Sequence, residues 1–66
     1  MEINDKKRKI IEILFKEKEL ATSKIAFLIS ANLYQTEVYL HQLLENNIIE
    51  KKEQNSATYW RLKNEK

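Results

Sequence analysis

Residues 40–62, LHQLLENNIIEKKEQNSATYWRL, decide the fold because the spacing of the apolar residues changes within them. As far as Leu44, the leucines follow the 3.6-residue period of an amphipathic helix. Residues 48–52 and 58–62 are instead β-prone runs with a period of two, and a polar stretch separates them. The segment therefore predicts a helix that leads into a β-hairpin.

Two further helices are predicted before this one. Asn4 or Asp5 is a candidate N-cap for the first, Thr22 for the second and Asn32 for the third, because such side chains accept hydrogen bonds from the first helical turn. The predicted bounds, within a single domain over residues 1–66, are about 5–18 for helix 1, 23–30 for helix 2, 33–46 for helix 3 and 48–62 for the hairpin.

The apolar periodicity also predicts which side chains form the core. The apolar stripe of helix 1 consists of Ile10, Ile11, Leu14 and Phe15. In helix 3, Thr36, Leu40 and Leu43 are expected to face inward. The outward positions of helix 3 are then Leu33, Tyr34, Glu37, Val38, His41 and Gln42. Because the chain has no Gly, Asn47 and Asn55 are expected to supply the positive φ angles after helix 3 and at the hairpin turn.

The composition excludes several classes of protein. A chain with no Cys and one His has no disulfide framework, no thiolate metal site and no zinc cluster. The longest uncharged run, residues 25–36, is too short to span a bilayer. No nucleophile paired with a base and no glycine-rich phosphate loop occurs. We therefore expect a soluble, cytoplasmic protein that is not an enzyme and holds neither a cofactor nor a metal.

Three helices followed by a hairpin form the element order of a winged helix-turn-helix. A short strand at residues 20–21 would extend the two-stranded wing to three strands. The predicted fold class is therefore mainly α with a small β-hairpin, in the winged helix-turn-helix arrangement.

Residues 23–32, SKIAFLISAN, and residues 40–62 also carry family motifs. The first stretch resembles the S-x-L-A-x-x-L-G-hydrophobic-S motif of ArsR/MarR-type winged helices, and the second resembles their L-x-x-L-x-x-x-G-L-V/I-x-R … Y-Y-R-L motif. Ser30 and Asn47 stand where these motifs usually have Gly, and helix 3 contains neither Lys nor Arg. The resemblance implies a DNA-binding transcriptional regulator, commonly dimeric, with helix 3 in the major groove.

Charge is distributed unevenly along the chain, although the net charge is only +2. Residues 1–24 carry seven basic and five acidic side chains, and residues 51–66 carry five basic and two acidic ones. Residues 25–50 carry three Glu and neither Lys nor Arg. Basic ends of this kind can mark a nucleic-acid footprint, but solvated helix surface produces the same pattern.

Three segments are candidates for contact with double-stranded DNA. The N-terminus of helix 2 can bind a phosphate through its amides, helix 3 can contact bases, and the hairpin can follow the sugar-phosphate backbone. The candidate residues are Thr22, Ser23, Lys24, Tyr34, Gln35, Val38, His41, Gln42, Lys51, Lys52, Asn55 and Arg61.

Each segment also has an interpretation without DNA. Thr22 can act as a simple N-cap, and the Lys/Glu hairpin can be ordinary solvated surface. Leu33, Tyr34 and Val38 form an apolar patch, which is typical of a protein contact. The alternative function is therefore a winged-helix protein-interaction module or adaptor. A homodimer would use helix 1 or this apolar face of helix 3.

Trp60 is expected to pack in the core. Its place near the end of the wing is also similar to that in winged helices that bind Z-form nucleic acid. That subclass combines the Trp with Asn and Tyr on helix 3 and with prolines in the wing. Here Glu37 and His41 occupy those helix positions and the chain has no Pro, so we do not expect that activity.

Overall fold

A computed structural model describes residues 4–63 of the chain. Its elements are α1 (Asp5–Glu17), β1 (Glu19–Ala21), α2 (Thr22–Ile29), α3 (Leu33–Glu45), β2 (Ile49–Gln54) and β3 (Ala57–Leu62). The strands form one antiparallel sheet in the order β1-β3-β2. The fold is a winged helix-turn-helix with a three-stranded sheet, so the predicted fold class is confirmed. Residues 1–3 and 64–66 of the predicted domain lie outside the described residues.

The helix ends differ from the predicted ones by one residue, for a local reason. The predicted helices include Lys18, Ser30 and Asn46, which in the structure are C-cap residues. The first two have φ angles of 76° and 59°, which no α-helical residue adopts. The N-caps of α1 and α3 are as predicted, because the side chains of Asn4 and Asn32 accept from the amides of the first helical turns.

The core lies between the three helices and one face of the sheet. Its buried members are Ile10, Leu14, Ile25, Ile29, Leu40, Leu43, Ile49 and Trp60. Thr36 is also fully buried, and its hydroxyl donates to the carbonyl oxygen of Asn32 over 2.7 Å. The predicted inward register of helix 3 and the core position of Trp60 are therefore confirmed.

The predicted apolar stripe of helix 1 is partly wrong. Ile10 and Leu14 are buried and Ile11 is half-buried, but Phe15 is 64% exposed. Successive residues of a helix point about 100° apart. Because only a narrow strip of α1 packs against the core, the residue that follows the buried Leu14 points toward solvent.

The turns are made without Gly. Among residues 4–63, positive φ occurs at Lys18, Ser30, Asn47, Asn55 and Ser56. The predictions for Asn47 and Asn55 are confirmed, with φ of 61° and 53°. A left-handed conformation costs roughly 1–2 kcal/mol for a residue with a Cβ, and less for Asn.

The helices of the described part of the chain are all too short or too polar to cross a membrane.

Leu40 tests the packing, because it is fully buried at the centre of the core. We expect Leu40→Ala to lower the free energy of unfolding by about 2–5 kcal/mol, measured by urea denaturation followed by circular dichroism. Tyr34→Ala is the control, since Tyr34 is 76% exposed on the same helix and its loss should cost less than about 0.5 kcal/mol. Equal stabilities would contradict the core register.

Candidate nucleic-acid interface

Trp60 joins the wing to both helices of the helix-turn-helix. Its side chain is 2% exposed, and its indole Nε1–H donates to the hydroxyl oxygen of Thr22 over 2.7 Å. The ring of His41 on α3 meets the indole edge to face, with centroids 5.9 Å apart and planes at 81°. One side chain of β3 therefore sets the position of the wing relative to the start of α2 and the outer face of α3.

The start of α2 differs from the predicted one. The N-cap is Ala21 rather than Thr22, and the cap makes no side-chain hydrogen bond. Thr22 is the first helical residue, and its hydroxyl oxygen accepts from the Trp60 indole rather than from the helix amides. The amides at this end thus have no side-chain acceptor among the described residues. The Thr22 hydroxyl accepts from Trp60 and keeps its own proton to donate.

The start of α2 shares a groove with α3 and the wing. The groove has a volume of about 310 Å³. Its lining residues are Ala21, Thr22, Ser23, Leu33, Glu37, Ala57 and Thr58. Two of the predicted site residues, Thr22 and Ser23, therefore lie beside the first turns of α3 and the first residues of β3. Ala57 and Thr58 are not among the residues predicted from the sequence, because neither residue type signals a binding role.

The outer face of α3 is exposed except at Val38, which is half-buried, and it carries neither Lys nor Arg. A second shallow groove, of about 350 Å³, is lined by Tyr34, Glu37, Val38, His41, Gln42 and Glu45. It brings together four predicted site residues, Tyr34, Val38, His41 and Gln42. Gln35 is half-buried and does not line this groove. The two Glu side chains make the face acidic, since α3 has neither Lys nor Arg.

The basic residues of the wing are divided between the two faces of the sheet. Lys51 pairs with Trp60 in the strand register, so it lies on the side of the helices. Lys52 pairs with Tyr59, and Arg61 is two residues further along β3, so both lie on the opposite face. The three predicted cations of the wing therefore do not form one patch.

Each of these cations has a carboxylate partner. The Nζ of Lys51 lies 3.8 Å from Glu53, and that of Lys52 lies 3.9 Å from Glu19 on the far strand. The Nε of Arg61 donates to Glu50 over 3.2 Å. All six side chains are 35% or more exposed, and exposed pairs of this kind contribute only about 0–1 kcal/mol each.

The remaining predicted site residues lie at the edges of this surface. Lys24 is exposed, and its Nζ lies 5.9 Å from the ring centre of Phe27, one turn along α2. Asn55 is at the hairpin tip with Ser56, and both have positive φ. Across residues 4–63 no group of three or more His, Cys, Asp or Glu side chains could hold a metal ion.

The comparison with protein families matches nearly the whole chain. The family model described as "FaeA-like protein" matches residues 6–64. No curated protein sequence is similar enough to count as a match.

Solved structures with the same fold include domains of transcriptional regulators. The homodimeric winged helix-turn-helix DNA-binding domain of a possible ArsR-family regulator from Mycobacterium bovis is 24% identical, with a TM-score of 0.83 over 89% of this chain and 54% of that one. Lactococcus lactis ZitR (C30S mutant) in complex with DNA is 18% identical, with a TM-score of 0.84 over 96% of this chain and 44% of that one. This chain thus spans about half the length of either regulator chain.

A third structure with the same fold is a complex with Z-DNA. The Zalpha domain of Carassius auratus PKZ, in complex with Z-DNA, is 23% identical, with a TM-score of 0.78 over 86% of this chain and 90% of that one. At these identities the structural similarity supports the fold alone. The same fold is implied by the ArsR/MarR resemblance of the sequence motifs.

The hydrogen bond between Trp60 and Thr22 can be tested with the chain's single Trp. Thr22→Val keeps the shape of the side chain but leaves the indole N–H without its acceptor, which should cost about 1–3 kcal/mol of stability. Urea unfolding followed by Trp60 fluorescence measures the loss. Thr22→Ser, which retains the hydroxyl, is the matched control. A valine variant as stable as the serine variant would show that the bond contributes nothing.

Proposed function

The chain belongs to the FaeA-like protein family, and we propose that it is a small transcriptional regulator that binds double-stranded DNA. The observation that carries the proposal is the groove where the start of α2, the first turns of α3 and the first residues of β3, next to the tip of the wing, meet. In a winged helix-turn-helix these are the parts that approach DNA. Two of the solved structures with this fold, from L. lactis and C. auratus, are complexes with DNA.

The proposed contact with bases is made by the outer face of α3 in the major groove. Gln42 has an amide that can bridge the N6 and N7 atoms of adenine, and Val38 can touch a thymine methyl group. Tyr34 and His41 line the same groove, and their side chains can donate hydrogen bonds to phosphates. Gln35 is a weaker candidate, because it is half-buried outside this face.

The start of α2 is the proposed phosphate anchor. The amides of Ser23 and Lys24 and the positive end of the helix dipole favour an anion there. The Thr22 hydroxyl adds a further donor. Its oxygen accepts from the Trp60 indole, so its proton is available to donate to a phosphate. This arrangement supports one phosphate contact beside the recognition helix.

In the wing we assign the backbone contact to Lys51 and the tip residue Asn55. Lys51 lies on the side of the helices, and exchanging its exposed pair with Glu53 for a phosphate costs little. Lys52 and Arg61 face the other way and contribute mainly to the overall field. Of the two lysines expected from the sequence to contact the sugar-phosphate backbone, we thus retain only Lys51.

Binding to a labelled AT-rich duplex, measured by fluorescence anisotropy at several salt concentrations, tests the proposal. We expect affinity to fall steeply with salt, because each neutralised phosphate adds about 0.9 to the logarithmic slope. Lys51→Ala should reduce the slope by about one. Lys52→Ala removes the same charge from the opposite face and should change the slope much less.

One outcome of this experiment would overturn the DNA proposal. If the wild-type chain shows no salt-dependent binding to any duplex at low salt, DNA is not the partner. Equal slopes for both variants and the wild type would instead remove the wing from the interface and leave DNA binding in place.

We propose a second copy of the chain as a further partner. The homodimer would form through the exposed side of α1. A groove of about 830 Å³ runs along this helix and reaches the last residue of β3. The apolar side chains of Ile11, Ile13, Phe15 and Leu62 line it, with charged residues at its edges. A second copy would cover Phe15, and the M. bovis domain with the same fold is homodimeric.

Two exposed phenylalanines make a matched test of the dimer. Phe15 is 64% exposed in the α1 groove, whereas Phe27 is 76% exposed on α2 and does not line it. Phe15→Ser should weaken self-association roughly a hundredfold, because each protomer loses the burial of one aromatic ring. Phe27→Ser should leave it unchanged. Sedimentation velocity measures both, and a wild-type monomer at all concentrations would exclude the dimer.

A protein-interaction module remains the second candidate function. Leu33 and Tyr34 are 54% and 76% exposed at the start of α3, and that helix carries no cation. An apolar, acidic helix face of this kind also suits a protein partner. The anisotropy experiment separates the two functions, because an adaptor of this type would show no phosphate-dependent binding.

A further inference from the structure

Glu37 lies where the two candidate grooves meet. It lines both the groove shared by α2, α3 and the wing and the groove on the outer face of α3. Its side chain is exposed and has no ion-pair partner among residues 4–63, whereas all three wing cations have one. A bare carboxylate thus occupies the centre of the proposed interface.

The position of Glu37 on α3 is that of a base-reading residue. It is the fifth residue of the helix, within the first two turns. The N-terminal part of a recognition helix is the part that approaches base edges. Phosphates would repel this carboxylate, so it favours DNA binding only if it meets a hydrogen-bond donor on a base.

A carboxylate can only accept, and the major groove offers two kinds of amine donor. The amine N6 of adenine lies next to the acceptor N7, which repels a carboxylate, whereas the amine N4 of cytosine has no such neighbour. Thymine and guanine present the acceptors O4 or O6 and N7 there. We propose that Glu37 is a specificity-determining residue that selects cytosine in the major groove. The inference rests on the proposed DNA binding. It adds the identity of one base that the protein selects and the residue that selects it.

Glu45 provides the matched control. It is an exposed Glu on the same helix, and it lines the outer groove but not the groove shared with α2 and the wing. Changing either Glu to Gln removes one negative charge from α3. Only Glu37→Gln should alter base preference. Because a Gln amide bridges N6 and N7 of adenine, Glu37→Gln should change the preferred base from cytosine to adenine.

The experiment is selection from a pool of duplexes with a randomised region, by the wild type, Glu37→Gln and Glu45→Gln. Affinities are then measured for the selected duplex and for versions in which each C·G pair becomes T·A or A·T. The wild type should prefer one cytosine by about fivefold or more. Glu37→Gln should prefer adenine there, and Glu45→Gln should keep cytosine and bind all duplexes somewhat more tightly. Trp60 fluorescence verifies that each variant is folded.

The outcomes separate this inference from the proposed function. If Glu37→Gln selects the same bases as the wild type, or if the wild type selects no cytosine, Glu37 does not determine specificity, although DNA binding stands. If the wild type binds no duplex, the proposed function fails and this inference fails with it.

Discussion

The hydrogen bond from Trp60 to Thr22 is the contact on which the candidate surface depends. It connects residues 38 positions apart and joins the middle strand of the sheet to the first turn of α2. Trp60 also pairs with Leu20 on one side and with Lys51 on the other, so all three strands are positioned with it. His41 packs against the same ring from α3. A shift of the indole would therefore separate the helix-turn-helix from the wing.

The charges on the two sides of this contact differ in kind. In the wing every cation described has a carboxylate partner, and the pairs are exposed enough to be exchanged at little cost. On α3 the exposed charge is acidic, and Glu37 has no ion-pair partner among residues 4–63. Affinity for a polyanion would then come from the wing and from the start of α2, while α3 would act mainly through choice among bases.

Local patterns allowed much of the fold to be predicted, and non-local contacts account for the rest. The inward register of Thr36, Leu40 and Leu43 follows from the helical period, and Asn47 follows from the need for positive φ. The acceptor of the Trp60 indole could not be predicted, because it depends on how a strand docks 38 residues away, and so the N-cap of α2 was assigned to Thr22. The sequence predicts the candidate site residues by segment, but the division of Lys51, Lys52 and Arg61 between the two faces of the sheet depends on the strand register.

The glycine-free turns have a consequence for the unfolded chain. Glycine is the residue that loses the most backbone freedom on folding, and this chain has none to restrict. The positive φ angles at Lys18, Ser30 and Ser56 raise the energy of the native state, but the disordered ensemble with which it competes is also smaller. Replacing such a residue by Gly would relieve the backbone strain and enlarge that ensemble at the same time. The net change in stability at these turns would then be smaller than the native geometry alone suggests.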